Sequence, residues 1–172
     1  LESVSSENQW DRYSFIGINP KMEVKIDKNI AEVTKDGIKT CSETDNPVDF
    51  IENIMKDYTS PKIEGMPKFT GGFVGYFAYD TVRYAEKKLV NMPEDDTHMP
   101  DCHLFLYDEL VAYDHLQNKV VIILNISLDD DIDEQYNAAK KRFLKIEDKI
   151  NSYFERPHSR GSYTDYEVKS NV

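Results

Sequence analysis

The stretch Thr70-Gly71-Gly72-Phe73-Val74-Gly75-Tyr76-Phe77-Ala78-Tyr79 decides how the rest of the chain is read. Its apolar residues run without interruption from Phe73 to Tyr79. Neither face of a strand is then left for water, and the stretch is expected to form a central, buried strand. Gly71, Gly72 and Gly75 each weaken such a strand, and mark a bulge or the close approach of another backbone. The same glycines fail as a phosphate cradle. A phosphate loop runs from the end of a strand into a helix amino terminus with a lysine close behind; here the glycines lie at the start and inside the strand, and no Gly-Lys-Ser/Thr follows. Asp80 is placed to cap a short helix through Thr81, Val82, Arg83 and Tyr84.

Working toward the amino terminus, Asn46 reads as a helix N-cap, with Pro47 at the first helical position and Asp49 favouring the positive end of the dipole. Phe50, Ile51, Ile54, Met55 and Tyr58 then share one face, and Pro61, Gly65 and Pro67 turn the chain into a loop. Before this helix, Glu23 to Ile26, Ile30 to Thr34 and Ile38 to Thr40 are short strands of an antiparallel meander. Asp27-Lys28-Asn29 and Lys35-Asp36-Gly37 separate them, the second carrying the Asp-Gly signal of a tight hairpin. Arg12 to Ile18 is a further strand, ended by Asn19-Pro20.

Toward the carboxy terminus, a polar loop from Met92 to Pro100 leads to two long strands, about Leu104 to Tyr113 and Lys119 to Ser127. Asp114-His115-Leu116-Gln117-Asn118 joins them as a hairpin. Ile132, Tyr136, Ala139, Phe143, Ile146, Ile150 and Tyr153 form one helical stripe. Asp129, Asp130, Asp131, Asp133 and Glu134 crowd its start, where the dipole favours negative charge. Arg156-Pro157 stops the helix, and residues 158–172 are polar and aperiodic. The expected fold class is α+β: a mostly antiparallel sheet with segregated helices, one domain over residues 1–157 followed by a linker over 158–172.

Composition excludes several functions. Lys plus Arg number 21 and Asp plus Glu 32, a net charge of −11, which repels phosphate backbones and anionic lipid headgroups. No apolar run approaches the roughly 20 residues needed to cross a bilayer. Two cysteines, Cys41 and Cys102, are too sparse for a disulfide-stapled secreted domain and read as free thiols of a reducing compartment, the cytoplasm. No signal peptide opens the sequence. The opening Leu1-Glu2-Ser3 reads like the inside of an element, so the chain is expected to be part of a longer one.

The titratable residues do not converge on a reaction. His98, His103, His115 and His158 lack metal-ligand spacing. His115 sits in a turn, and His103 and Cys102 are strand neighbours that point to opposite faces. The acidic run from Asp129 to Glu134 lacks the spaced ligands and glycine of a calcium loop. No catalytic residue is assigned.

Three stretches carry a family resemblance. Leu1-Glu2-Ser3-Val4, followed by Trp10-Asp11-Arg12-Tyr13-Ser14-Phe15-Ile16-Gly17, resembles the "LES… RYSFIG" signature of anthranilate synthase component I. Phe69 to Arg83, with Glu86 just after, is similar to that family's glycine-aromatic strand and following helix. Met99-Pro100-Asp101 and then Asp114-His115 resemble its "PD… DH" hairpin. The motifs fall in family order from Leu1 to about Ser127, and Ser170-Asn171-Val172 resembles the point where the chorismate-binding domain begins.

The resemblance implies the amino-terminal part of an enzyme that converts chorismate and ammonia to anthranilate and pyruvate. The ammonia is released from glutamine by a partner glutamine amidotransferase subunit (component II). It also implies a Mg2+ requirement, with the chorismate and magnesium ligands in the carboxy-terminal domain, outside this sequence, so that the fragment alone is inactive. L-Tryptophan inhibits such enzymes from a separate site lined by the "LES" segment. By match, Ser3, Glu2 and Leu1 are candidates for that site, with Tyr13 and Ser14 on the neighbouring strand. The residue types suit the ligand: its ammonium and carboxylate lose hydration on binding and need fixed partners, and its indole needs an apolar slot. Two alternatives stand beside this reading, aminodeoxychorismate synthase component I of folate biosynthesis and a non-catalytic ligand-binding domain.

Overall fold

The computed structural model describes residues 1, 12–86, 88–89, 95, 98–129 and 131–154 of the chain. Arg156-Pro157 and the linker expected over 158–172 lie outside the described residues. Two antiparallel sheets share one path. Strand β1 (Tyr13–Ile18) belongs to a three-stranded sheet of order β1-β7-β8, with β7 at Glu109–Asp114 and β8 at Lys119–Leu124. Strands β2 (Met22–Asp27), β3 (Ile30–Lys35), β4 (Ile38–Glu43), β5 (Gly72–Phe77) and β6 (Cys102–Tyr107) form a five-stranded sheet of order β4-β3-β2-β6-β5.

Period-two alternation builds the core. Met22, Val24 and Ile26 of β2 and Cys102, Leu104 and Leu106 of β6 point to one face, where they are buried with Ala31. Helix α1 (Pro47–Met55) covers this face with Ile51, and Phe50, Ile54, Met55 and Tyr58 pack around it. The Asn46 side chain accepts from the Val48 N–H at 2.9 Å, as the cap signal requires. At the β3–β4 turn, Asp36 and Gly37 take φ of 52° and 76°, the left-handed pair of a tight hairpin.

Three expectations are corrected. The expected strand from Leu104 to Tyr113 is two strands, broken at Asp108, where the chain leaves the five-stranded sheet and enters the three-stranded one. The Asp108 carbonyl accepts from the backbone N–H and the side-chain amide of Asn125, at 2.9 and 3.1 Å. Its carboxylate pairs with Lys21 at 3.3 Å. The backbone bond continues the β7–β8 register one residue past Glu109–Leu124, and the side-chain bonds brace the corner beside it. The same transfer occurs at Asn19-Pro20 between β1 and β2, directly opposite, since Ile18 pairs with Glu109.

Strand β5 is not central. It lies at the edge of its sheet, paired among the described residues only with β6, and Phe77 is 44 % exposed. The place between two neighbours goes to β6, whose backbone pairs with both β2 and β5. Gly75 does mark a close backbone approach, since a Cβ there would stand 2.0 Å from the His103 carbonyl oxygen.

Asp80 does not cap the helix that follows β5. It accepts from Arg83 at 2.6 Å, and the segment is a 3-10 turn (Tyr79–Thr81) leading into one α turn, α2 (Val82–Ala85).

The long helix α3 (Ile132–Phe154) starts as expected, with the Asp131 side chain accepting from Asp133 and Glu134 N–H at 3.0 and 3.1 Å. Its apolar stripe is covered unevenly: Ala139 is buried and Ile146 and Ile150 half-buried, whereas Ile132, Tyr136, Phe143 and Tyr153 are exposed. The Arg142–Glu109 ion pair at 2.6 Å ties the helix to β7, and Gln135 and Ala138 are half-buried beside Ala139 and Ile146 of the stripe.

Candidate functional site

Of the five residues proposed to line an inhibitor site, the structure describes three, Leu1, Tyr13 and Ser14; Glu2 and Ser3 lie outside the described residues. Leu1 is fixed by backbone chemistry. Its nitrogen donates to the Phe15 carbonyl and its carbonyl accepts from the Phe15 N–H, both at 2.8 Å. This is the two-bond exchange of antiparallel neighbours, so Leu1 lies on the outer edge of β1, with β7 on the other edge.

Alternation along β1 sorts its side chains. Tyr13 and Phe15 share one face with ring centroids 5.9 Å apart, and Phe69 meets Phe15 edge-on at 5.5 Å. The Arg12 guanidinium stands 5.0 Å from the Tyr13 ring. Ser14 points to the opposite face, where its Oγ lies 2.7 Å from His115 Nε2. A ligand on one face therefore meets Tyr13 or Ser14, and reaches both only across the edge that Leu1 occupies. The Tyr13, Phe15 and Phe69 rings offer an apolar wall suited to a flat aromatic group.

The wall is anchored by a pair the sequence reading did not single out. Arg12 donates to both carboxylate oxygens of Asp114, from Nε at 2.9 Å and Nη2 at 2.6 Å. Asp114 also accepts from the Leu116 and Gln117 N–H groups, which makes it the residue that shapes the Asp114–Asn118 turn. The Arg12 hydrogen bonds hold the Asp114 carboxyl well below its usual range, at about 2. The His115 N–H donates to the Arg12 carbonyl at 2.8 Å, completing the link. No spacing in the sequence joins residues 102 positions apart; the only signal was that both sat inside motifs shared with one family.

Two further polar clusters lie elsewhere. On β6, His103 Nε2 is 2.8 Å from Glu23 Oε1, which Lys25 also meets at 2.7 Å. The Lys25 and then the His103 hydrogen bonds hold the Glu23 carboxyl below its ordinary value. Cys102 beside it points into the core, where burial pushes its thiol up to about 11, so no thiolate–imidazole pair forms. Cys41 and Cys102 are three strand positions apart, about 14 Å at strand spacing, beyond disulfide reach. At the corner between sheets, Glu109 is buried and held by Arg142 and by Asn19 at 3.3 Å.

Among the described residues no three His, Cys, Asp or Glu side chains gather in one place. No helix among them is long and apolar enough to cross a membrane.

Comparison with known proteins follows the same lines. Residues 3–169 match the family model described as chorismate binding enzyme. The chain is 39 % identical over 150 residues to anthranilate synthase component 1 of Acetivibrio thermocellus, covering 87 % of this chain and 30 % of that protein. It is 35 % identical over 158 residues to the chloroplastic anthranilate synthase alpha subunit 2 of Arabidopsis thaliana, covering 87 % and 25 %. The crystal structure of anthranilate synthase component I from Streptococcus pneumoniae TIGR4 shares the fold, with a TM-score of 0.58 at 23 % identity over 84 % of this chain and 32 % of that one. The chain thus spans only about a third, or less, of the proteins it matches. With its motifs, antiparallel sheets and relatives in agreement, the chain belongs to the chorismate-binding enzyme family and is similar, within it, to anthranilate synthase component I.

Proposed function

We propose that these residues form the amino-terminal, regulatory part of an anthranilate synthase large subunit and that they contribute one wall of its tryptophan inhibitor site. The observation that carries the reading is the seat of Leu1 on the β1 edge, which supports a position for the "LES" segment beside Tyr13 and its aromatic neighbours. Ser3 and Glu2 would supply the polar partners for the amino acid's charged groups, and the Tyr13–Phe15–Phe69 surface the contact for the indole.

Chemistry is assigned to the remainder of the polypeptide. There chorismate and Mg2+ would bind, the metal screening the substrate's carboxylate charge, and ammonia would arrive from a glutamine amidotransferase subunit in a reducing, cytoplasmic compartment. Inhibition then follows as a coupling between sites. Tryptophan would bind better to an arrangement in which the two parts of the enzyme are misaligned, and chorismate to the aligned one. Each ligand must weaken the other by the same factor.

The test is an assay of the full-length polypeptide with its amidotransferase. The reading expects fluorescent anthranilate from chorismate and glutamine, reduced by tryptophan. Formation of aminodeoxychorismate in place of anthranilate and pyruvate, or turnover of chorismate by these 172 residues alone, contradicts it.

A further inference from the structure

The two edges of the five-stranded sheet are built differently. Strand β4, at one edge, carries Lys39 and Glu43, and Lys39 pairs with Glu32 of β3 at 2.7 Å. Charged edges of this kind resist pairing with another strand. Strand β5, at the other edge, has no charged residue anywhere from Phe69 to Tyr79, in a chain of which 31 % of residues are charged. Uncharged, apolar edges are templates for strand addition.

The ladder identifies the open groups. The Ala78 N–H donates inward to the Asp101 carbonyl at 2.7 Å, in register with Phe77 opposite Cys102 and Tyr76 opposite His103. Antiparallel pairs alternate, so Gly72, Val74 and Tyr76 also turn their backbone groups toward β6. Phe73, Gly75 and Phe77 turn theirs outward, and none has a backbone partner among the described residues. Just beyond the strand, Tyr79 is 92 % exposed and Val82 is exposed as well, so the open edge runs on into an apolar patch.

We propose that β5 is an acceptor edge, completed by an uncharged extended strand from the part of the polypeptide that the relatives carry outside the region matched here. That region is 25–30 % of two such relatives, so more than two thirds of their length is available to supply it. The incoming strand exchanges N–H and carbonyl bonds with Phe73, Gly75 and Phe77 and has no proline facing them, since proline lacks the donor. Its flank covers Phe77, Tyr79 and Val82. The edge then joins the regulatory part to the rest of the enzyme through the strand that Gly75 lets lie tight against β6. This proposal rests on the reading of the chain as part of a larger synthase subunit.

Residue-resolved hydrogen exchange on the full-length polypeptide tests it without requiring turnover. The expected result is slow exchange of the Phe73, Gly75 and Phe77 amides in the monomeric protein, about 100-fold or more below the unprotected rate, as for a paired strand. Exchange near the unprotected rate at these three amides, beside slow exchange at Val74 and Tyr76, overturns it. So does protection that appears only at concentrations where the protein dimerises, which assigns the edge to a second copy. A full-length protein that lacks anthranilate synthase activity but protects all three amides refutes the functional reading and leaves the acceptor edge standing.

Discussion

Replacing Gly75 by alanine probes the junction on which the five-stranded sheet depends. The added Cβ would stand 2.0 Å from the His103 carbonyl oxygen and 2.9 Å from Leu104 Cα, whereas real Cβ atoms essentially never come within 3.0 Å. Both obstacles are backbone of β6, so no side chain can swing aside, and β5 must move away by about 1 Å. A shift of that size ruptures the ladder bonds at Val74 and Tyr76, which flank the site. Two lost ladder bonds at about 1 kcal/mol each, added to the lower end of overpacking costs, give a destabilisation of about 3 kcal/mol. With a urea m-value of about 2 kcal/mol/M, the midpoint of unfolding falls by about 1.5 M. Gly37→Ala is the control. Its φ of +76° strains an alanine, but nothing lies within 4 Å, so it costs only about 1 kcal/mol. Equal midpoints for Gly75→Ala and the unsubstituted chain, read by circular dichroism, refute the claim that Gly75 is there to admit the β6 backbone.

Asp114 gives a pH signature. Its folded pKa, about 2, lies below the unfolded value because Arg12 donates to the carboxylate; the stability it contributes is present above about pH 4 and fades between pH 4 and pH 2. In Arg12→Met this slope should flatten, and an unchanged slope counts against the pair as anchor of the β1 wall. The thiols should divide cleanly in the native chain: exposed Cys41 reacts with a thiol reagent, while Cys102, buried with its pKa near 11, reacts only on unfolding. Rapid labelling of both contradicts the placement of Cys102. In the full-length enzyme, saturating chorismate should weaken tryptophan binding; equal affinity with and without it, measured by calorimetry, removes the proposed coupling.

The sequence was most legible where one physical signal had one outcome. The Asn46-Pro47 start of α1, the Asp36-Gly37 turn and the alternation of Met22, Val24 and Ile26 all appear in the structure as expected. The break at Asp108 was hidden because alternation continues across it in phase. Cys102, Leu104 and Leu106 before the corner and Leu110, Ala112 and Asp114 after it are all buried at even positions. A strand that changes sheets without changing phase leaves no mark in hydrophobicity. The misplacement of β5 has a related cause, since an uninterrupted apolar run reports that both faces avoid water and says nothing of how many neighbours the backbone has. The stripe on α3 has the expected period, and Ala139, Ile146 and Ile150 of it are covered while Ile132, Tyr136 and Phe143 stand exposed, a division that periodicity does not report. At the candidate site, Leu1, Tyr13 and Ser14 were reached only through family motifs. The Arg12–Asp114 pair that braces them joins residues 102 positions apart and has no local pattern.

The most direct measurement is tryptophan inhibition of full-length enzyme carrying Ser3→Phe. A bulky ring in place of the serine hydroxyl removes a partner for the ligand's charged groups and fills part of its slot, while leaving the chorismate chemistry untouched. Turnover of chorismate to anthranilate should stay within about twofold of the unsubstituted enzyme, and the tryptophan concentration for half-inhibition should rise by at least about 100-fold, the loss of roughly 3 kcal/mol of binding. Turnover abolished with inhibition intact would contradict the assignment of this part of the protein to sensing.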